Sequence, residues 1–212
     1  MATKPHTSVP FLSPRTFGDG LNYLVGRDPD LARILTEFGP PPMWARKAGF
    51  PTLIHIILEQ QVSLASARAA FDRLIEHVSP LTPERFLELD DPTLKAIGFS
   101  RQKAGYGREL ARSVAEGRLN FSALDKLDDA AVKVELTKVK GVGAWTADIY
   151  LLMVLRRPDI WPKGDMALAT AAQKVKRLDS RPTQEELDAM SHVWKPWRAV
   201  AARLLWHFYL SQ

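Results

Sequence analysis

Two stretches of the 212-residue chain bring together residue types from which chemistry can be built. The first is "KVKGVGAWTADIY" at 138–150, where Gly141 and Gly143 stand one residue apart between two apolar helical patterns. A helix end leaves carbonyls without partners, and a helix start leaves N–H groups without partners. Glycine there lets the backbone take positive φ and exposes its amides with no side chain in the way. Such amides cradle phosphate, and Lys138 and Lys140 add positive charge beside them. The stretch reads either as a sequence-independent grip on a nucleic-acid backbone or as a tight helix–helix turn that needs glycine for sterics alone. The glycines by themselves do not separate the two. The second stretch is "PDIWPKGDMALAT" at 158–170, which sets Asp165 twenty residues past Trp145 and just ahead of an alanine-rich helix. Aspartate is a common helix N-cap; a carboxylate can also stabilise developing positive charge or orient a water.

The elements that must position these residues read as helices throughout. No stretch alternates with period two for long enough to be a strand, so the fold class is all-α, with about nine to eleven helices. Residues 1–20 carry Pro5, Pro10, Pro14, Gly18 and Gly20 and are expected to form a flexible arm. One or two short helices follow from Leu21 to Gly39, stopped by the triple proline at 40–42. The apolar run from Pro51 is expected to break near Gln60–Ser63 and restart with Ser63 as N-cap. Short helices are expected over 83–88 and 91–97, and Thr183 with Glu186 has the spacing of a capping box.

Bulk composition narrows the classes. Hydrophobic residues make up 46% of the chain, a globular proportion. Twenty-nine Lys and Arg against 24 Asp and Glu leave +5, which suits an anionic partner without requiring one. The absence of cysteine removes disulfides, thiolate zinc sites and iron–sulfur clusters. No apolar run reaches the roughly 18 residues of a membrane span, and "IYLLMVL" at 149–155 reads as a buried helix. The N-terminus has no secretory signal pattern, so a cytoplasmic protein is expected.

"LTKVKGVGAWTADIYLL" resembles the helix–hairpin–helix of the DNA glycosylase superfamily, and "WPKGDMALATAAQKV" resembles the loop and aspartate coupled to it. "IILEQQVSLASA", "LKAIGFSRQKAGYGRELA" and "WKPWRAVAARLLWHFYL" are similar to the bacterial 3-methyladenine DNA glycosylase II (alkylbase glycosylase) family. The likeness spans roughly residues 50–212 in the expected order, and the length matches the short form without an N-terminal β domain.

The resemblance implies a two-lobed fold with the active site in the interlobe cleft. One lobe is expected over 46–156, carrying the hairpin, and the other over 21–45 plus 157–212, carrying the catalytic aspartate. It implies a monofunctional enzyme of base excision repair that flips alkylated bases of the 3-methyladenine and 7-methylguanine type out of double-stranded DNA and hydrolyses the N-glycosidic bond. Asp165 is the expected catalytic group, since C1′–N cleavage develops oxocarbenium character. Trp145 and Trp206 are the expected base-pocket walls, where an indole face attracts a cationic base. Gln61 matches the residue that fills the gap in the stack, although a polar residue at a helix break reads equally well. Lys138, Lys140, Gly141, Val142, Gly143 and Ala144 are expected at the DNA backbone, with Arg101, Lys103, Arg108 and Arg112 as either a basic flank or a solvated helix face. No cofactor is required; in the family a structural monovalent cation can bridge hairpin carbonyls to phosphate, here those of Thr137, Val139 and Val142.

Trp145 stands where relatives with lyase activity carry the lysine nucleophile, so an intact abasic site is the expected product. Lys163 is the lysine that could overturn this. Asp148 and Asp159 are decoy carboxylates, and Trp194 and Trp197 are expected to pack around a turn. A bacterial, nucleoid-associated monomer is expected. The competing readings are a non-catalytic helix–hairpin–helix DNA-binding module and a glycosylase for another lesion class.

Overall fold

The computed structural model describes residues 10–212. In chain order the helices are α1 (Pro14–Val25), α2 (Pro29–Phe38), α3 (Phe50–Glu59), α4 (Leu64–His77), α5 (Pro83–Leu87), α6 (Asp91–Ile97) and α7 (Arg101–Ala115). There follow α8 (Phe121–Leu124), α9 (Asp129–Thr137), α10 (Ala144–Met153), α11 (Met166–Val175), α12 (Gln184–Ser191) and α13 (Arg198–Leu210), with a 3₁₀ turn at His192–Trp194. The described residues contain no strand. Thirteen α-helices among the described residues exceed the expected nine to eleven. Single turns such as α8, held by the Asn120 side chain, are too short to show a helical period.

The expected arm over 1–20 is not what residues 14–20 form, because they are helical. Residues 1–9 lie outside the described residues, and helix α1 already starts at Pro14. Pro14 takes the first helical position, where its missing N–H costs nothing. Ser13 and Thr16 form a capping box around it.

The described residues form two compact units, one of 10–44, 126–128 and 155–212, the other of 45–125 and 129–154. The first is organised around α13, which packs on α11, α2 and α1. Every residue from Ala199 to Trp206 is buried, and the alanines at 199, 201 and 202 allow close helix approach. Arg203, fully buried, donates from Nε to the Met43 carbonyl at 2.8 Å and from Nη1 to the Ala199 carbonyl at 2.9 Å. Burial pushes its pKa down to about 9. Asp28 caps α2 and takes the Lys176 ammonium at 2.6 Å and the Trp194 indole N–H at 2.8 Å. Trp194 is thus a packing residue with a satisfied polar edge, as the sequence suggested.

In the second unit α3 lies against α4, α7 and α10. Its Leu53, Ile54, Ile56 and Ile57 are fully buried, and Ile149–Leu152 of α10 is the buried run that was too short for a membrane. Among the described residues no helix is long and apolar enough to cross a membrane. Helix α3 ends at Glu59, the chain turns through Gln60–Ser63, and the Ser63 side chain caps α4.

Candidate functional site

The glycine stretch forms a hairpin between α9 and α10. Val139 and Val142 point into the core, with the Val142 amide donating to the Val139 carbonyl at 3.0 Å. That anchors the turn from beneath and leaves Lys140, Gly143 and Ala144 exposed. Gly141 has φ +96°, and a Cβ there would collide with the ring of Tyr106. Gly143 departs from expectation: its φ is −90°, extended backbone open to any residue, and a Cβ would meet nothing within 4 Å. The fold therefore requires Gly141 and not Gly143. No side chain caps α10, so its N-terminus presents backbone amide dipoles at an exposed surface, an arrangement suited to an anion.

Lys138 does not stand open beside this cradle, since its ammonium pairs with Glu135 at 2.7 Å. The pair is exposed and therefore weak, so a phosphate can compete for it. The carbonyls of Thr137, Val139 and Val142 offer neutral hard oxygens, a donor chemistry that fits a monovalent cation, although the Val139 carbonyl already accepts the Val142 amide. Among the described residues no group of three or more His, Cys, Asp or Glu is placed to hold a metal.

Gln61 sits exposed at the turn after α3 with φ +55°, a conformation rare for a residue with a Cβ. Its neighbour Gln60, which the sequence did not single out, ties this turn to the hairpin. Its Nε2 donates to the Gly141 carbonyl and to Thr146 Oγ1, both at 2.9 Å. The supposed basic flank divides in two. Lys103 donates to the Leu58 carbonyl at 2.7 Å, capping α3, and burial lowers its pKa. Arg108 donates to the Leu89 carbonyl and pairs with Asp91. Both are structural, while Arg101 and Arg112 are exposed.

Asp165 belongs to the other unit and is only 8% exposed. It is the N-cap of α11, accepting the Leu168 amide at 2.9 Å on Oδ1. The same oxygen accepts the indole N–H of Trp206 at 3.2 Å. Capping and a further role are therefore not alternatives: the cap fixes the carboxylate beside an aromatic wall. A second tryptophan completes that wall. Trp44 meets Trp206 edge-on, with ring centroids 6.4 Å apart and planes at 73°. Trp44 has φ +48°, and the Arg203 bond to Met43 holds the backbone just before it. The only local signal for it was its place after the triple proline. Trp145, expected at the base pocket, lies half-buried on α10 in the hairpin unit.

The remaining groups have structural partners. Asp148 pairs with Lys133, and Asp159 takes Arg198 through Nε at 2.8 Å and Nη2 at 2.9 Å. Lys163 points its ammonium at Asp188, 3.1 Å away.

The chain is similar to several known proteins. YfjP of Bacillus subtilis (strain 168) is 29% identical over 184 residues, which are 83% of this chain and 64% of that protein. The alkylbase DNA glycosidase-like protein mag2 of Schizosaccharomyces pombe is 31% identical over 168 residues, 75% of this chain and 77% of that protein. Among solved structures, the 3-methyladenine DNA glycosylase Mag1 of Schizosaccharomyces pombe in complex with abasic DNA superposes with a TM-score of 0.82 at 26% identity, covering 89% of this chain and 95% of that one. A family model described as HhH-GPD superfamily base excision DNA repair protein matches residues 54–199, a span that takes in the Gln60 turn, the hairpin and Asp165. The chain belongs to the HhH-GPD superfamily of base excision DNA repair proteins.

Proposed function

We propose that the protein is a monofunctional DNA glycosylase that removes alkylated bases of the 3-methyladenine and 7-methylguanine type from double-stranded DNA, acting as a monomer. The observation that carries this reading is Asp165: a buried carboxylate oriented by its own helix and by Trp206, against an aromatic pair. The exposed, uncapped start of α10 supports the DNA part of the reading. So do the names of mag2 and of the Mag1 complex.

A base in a duplex must leave the stack before its glycosidic bond can be reached. The hairpin amides and Lys140 hold the backbone, and Gln61 enters the space the base vacates. Alkylation at N3 or N7 makes the base cationic, so an electron-rich indole face favours it by about 1–2 kcal/mol per desolvated contact; Trp206, with Trp44 edge-on against it, supplies such a face. As the C1′–N bond breaks, its electron pair leaves with the base, which departs neutral. The positive charge left on the sugar is stabilised by the Asp165 carboxylate. Water adds to C1′ and gives up one proton, with the Asp165 carboxylate as acceptor, leaving an abasic site. A monovalent cation on the hairpin carbonyls would serve the backbone grip.

The test is base release from methylated duplex DNA, with strand integrity read before and after hot alkali. Free methylated base with strands cut only after alkali is the expected result. Binding without release would mean a non-catalytic module, and release only from oxidised DNA would mean another lesion class.

A further inference from the structure

One face of α7 carries Arg101, Gly105, Glu109 and Arg112, at spacings of four, four and three residues, which align along a helix. With Tyr106 and Lys140 they line an open groove of about 630 Å³. Three cations face one carboxylate. Glu109 is shared between Arg112 at 3.7 Å and Arg118 at 3.3 Å, so the groove remains cationic. It is continuous with the hairpin, because Tyr106 is the ring against which Gly141 packs and Lys140 borders both.

Gly105 adds an observation independent of charge. It lies inside α7, where glycine is less favourable than alanine. Yet a Cβ there would meet nothing within 4 Å, so packing within the protein does not account for it. A missing side chain on the groove floor leaves room for something outside the protein to come down onto the helix backbone.

We infer that this groove is a second track for a DNA phosphate backbone, continuing the cradle of the hairpin. Arg101 and Arg112 are about 16 Å apart along the helix at 1.5 Å per residue, room for several consecutive phosphates. Gly105 lets the sugar–phosphate chain lie against α7 between them. The inference rests on the reading that the hairpin grips DNA, but not on catalysis.

The test uses the full chain and undamaged duplex, with affinity measured from low to high salt. Each lost phosphate contact removes about 0.9 from the slope of log K against log salt. The Arg101→Gln/Arg112→Gln double variant should lower the slope by about two and weaken binding at least about ten-fold near 0.1 M salt. A control double variant at two exposed lysines that do not line the groove, Lys47→Gln/Lys95→Gln, should keep the parent slope. Gly105→Ala should melt no lower than the parent and bind duplex several-fold more weakly. An unchanged slope in the arginine double variant, an equal fall in the control, or parental affinity in Gly105→Ala would overturn the inference. Because the duplex is undamaged, a protein that releases no base would end the glycosylase reading and leave this measurement valid.

Discussion

Trp206 and Leu168 hold one oxygen of Asp165 from two helices: the indole N–H at 3.2 Å from α13 and the backbone amide at 2.9 Å from within α11. Two donors on one oxygen orient the carboxylate, and a preoriented charge is what electrostatic stabilisation requires on the proposed reading. It also makes a clean substitution available.

Asn is as good an N-cap as Asp, so Asp165→Asn should fold and melt close to the parent. It should bind abasic DNA as the parent does and release methylated base at least about 10²-fold more slowly. Trp206→Phe keeps the aromatic face and loses the N–H, and should fall between the two. Single-turnover base release measures both. A rate for Asp165→Asn within a few-fold of the parent would remove Asp165 from the chemistry.

The two hairpin glycines should part company. Gly141→Ala drives a methyl into Tyr106 at positive φ and should destabilise the hairpin unit. Gly143→Ala meets nothing within the protein, so its melting should match the parent while duplex affinity falls for damaged and undamaged DNA alike. Thermal melts beside binding isotherms check this. A Gly143→Ala variant with unaltered affinity would mean that the backbone is not gripped there.

Borohydride should trap no covalent protein–DNA adduct. A lysine amine attacks a sugar only when held close to it, and Lys163 is turned toward Asp188, 3.1 Å away. A trapped band lost in Lys163→Ala would show a lyase activity and correct the present mechanism.

His55 gives the hairpin unit a pH dependence. It stacks on Phe71 with ring centroids 4.3 Å apart and lies 3.7 Å from Glu59. Burial pushes its pKa below the ordinary 6.5; Arg46 and Arg68 push the same way, while Glu59 and Asp72 oppose them. The unfolded chain therefore binds the proton first as pH falls, and stability should drop from pH 6.5 down to the folded pKa, then level off for this group. His55→Gln should flatten that part of a plot of melting temperature against pH. An unchanged slope would exclude His55 as its source.

What the sequence disclosed was local or carried by resemblance. The Ser63 cap, the Thr183–Glu186 capping box and the break after Glu59 are short-range patterns, and all are present. Gln60 reaches a carbonyl 81 residues away, and a backbone carbonyl leaves no mark in the composition near it. Lys103 and Arg108 looked like their neighbours on a basic helix. Their partners are the carbonyls of Leu58 and Leu89, so only the rotation of α7 separates them from Arg101 and Arg112. Trp44 has the same history, its position depending on Arg203 far along the chain.

The two bonds from Gln60 set the distance between the Gln61 turn and the glycine hairpin. On the glycosylase reading, that makes the protein a gauge of fixed calibre, and the compliance must come from the duplex. Steps that unstack cheaply will fit the gauge and stiff ones will resist it, so recognition begins as a measurement of stiffness before any base is read. Gln60→Ala, which loosens the gauge, should narrow the difference in affinity between a duplex with a mispaired step and a fully paired one.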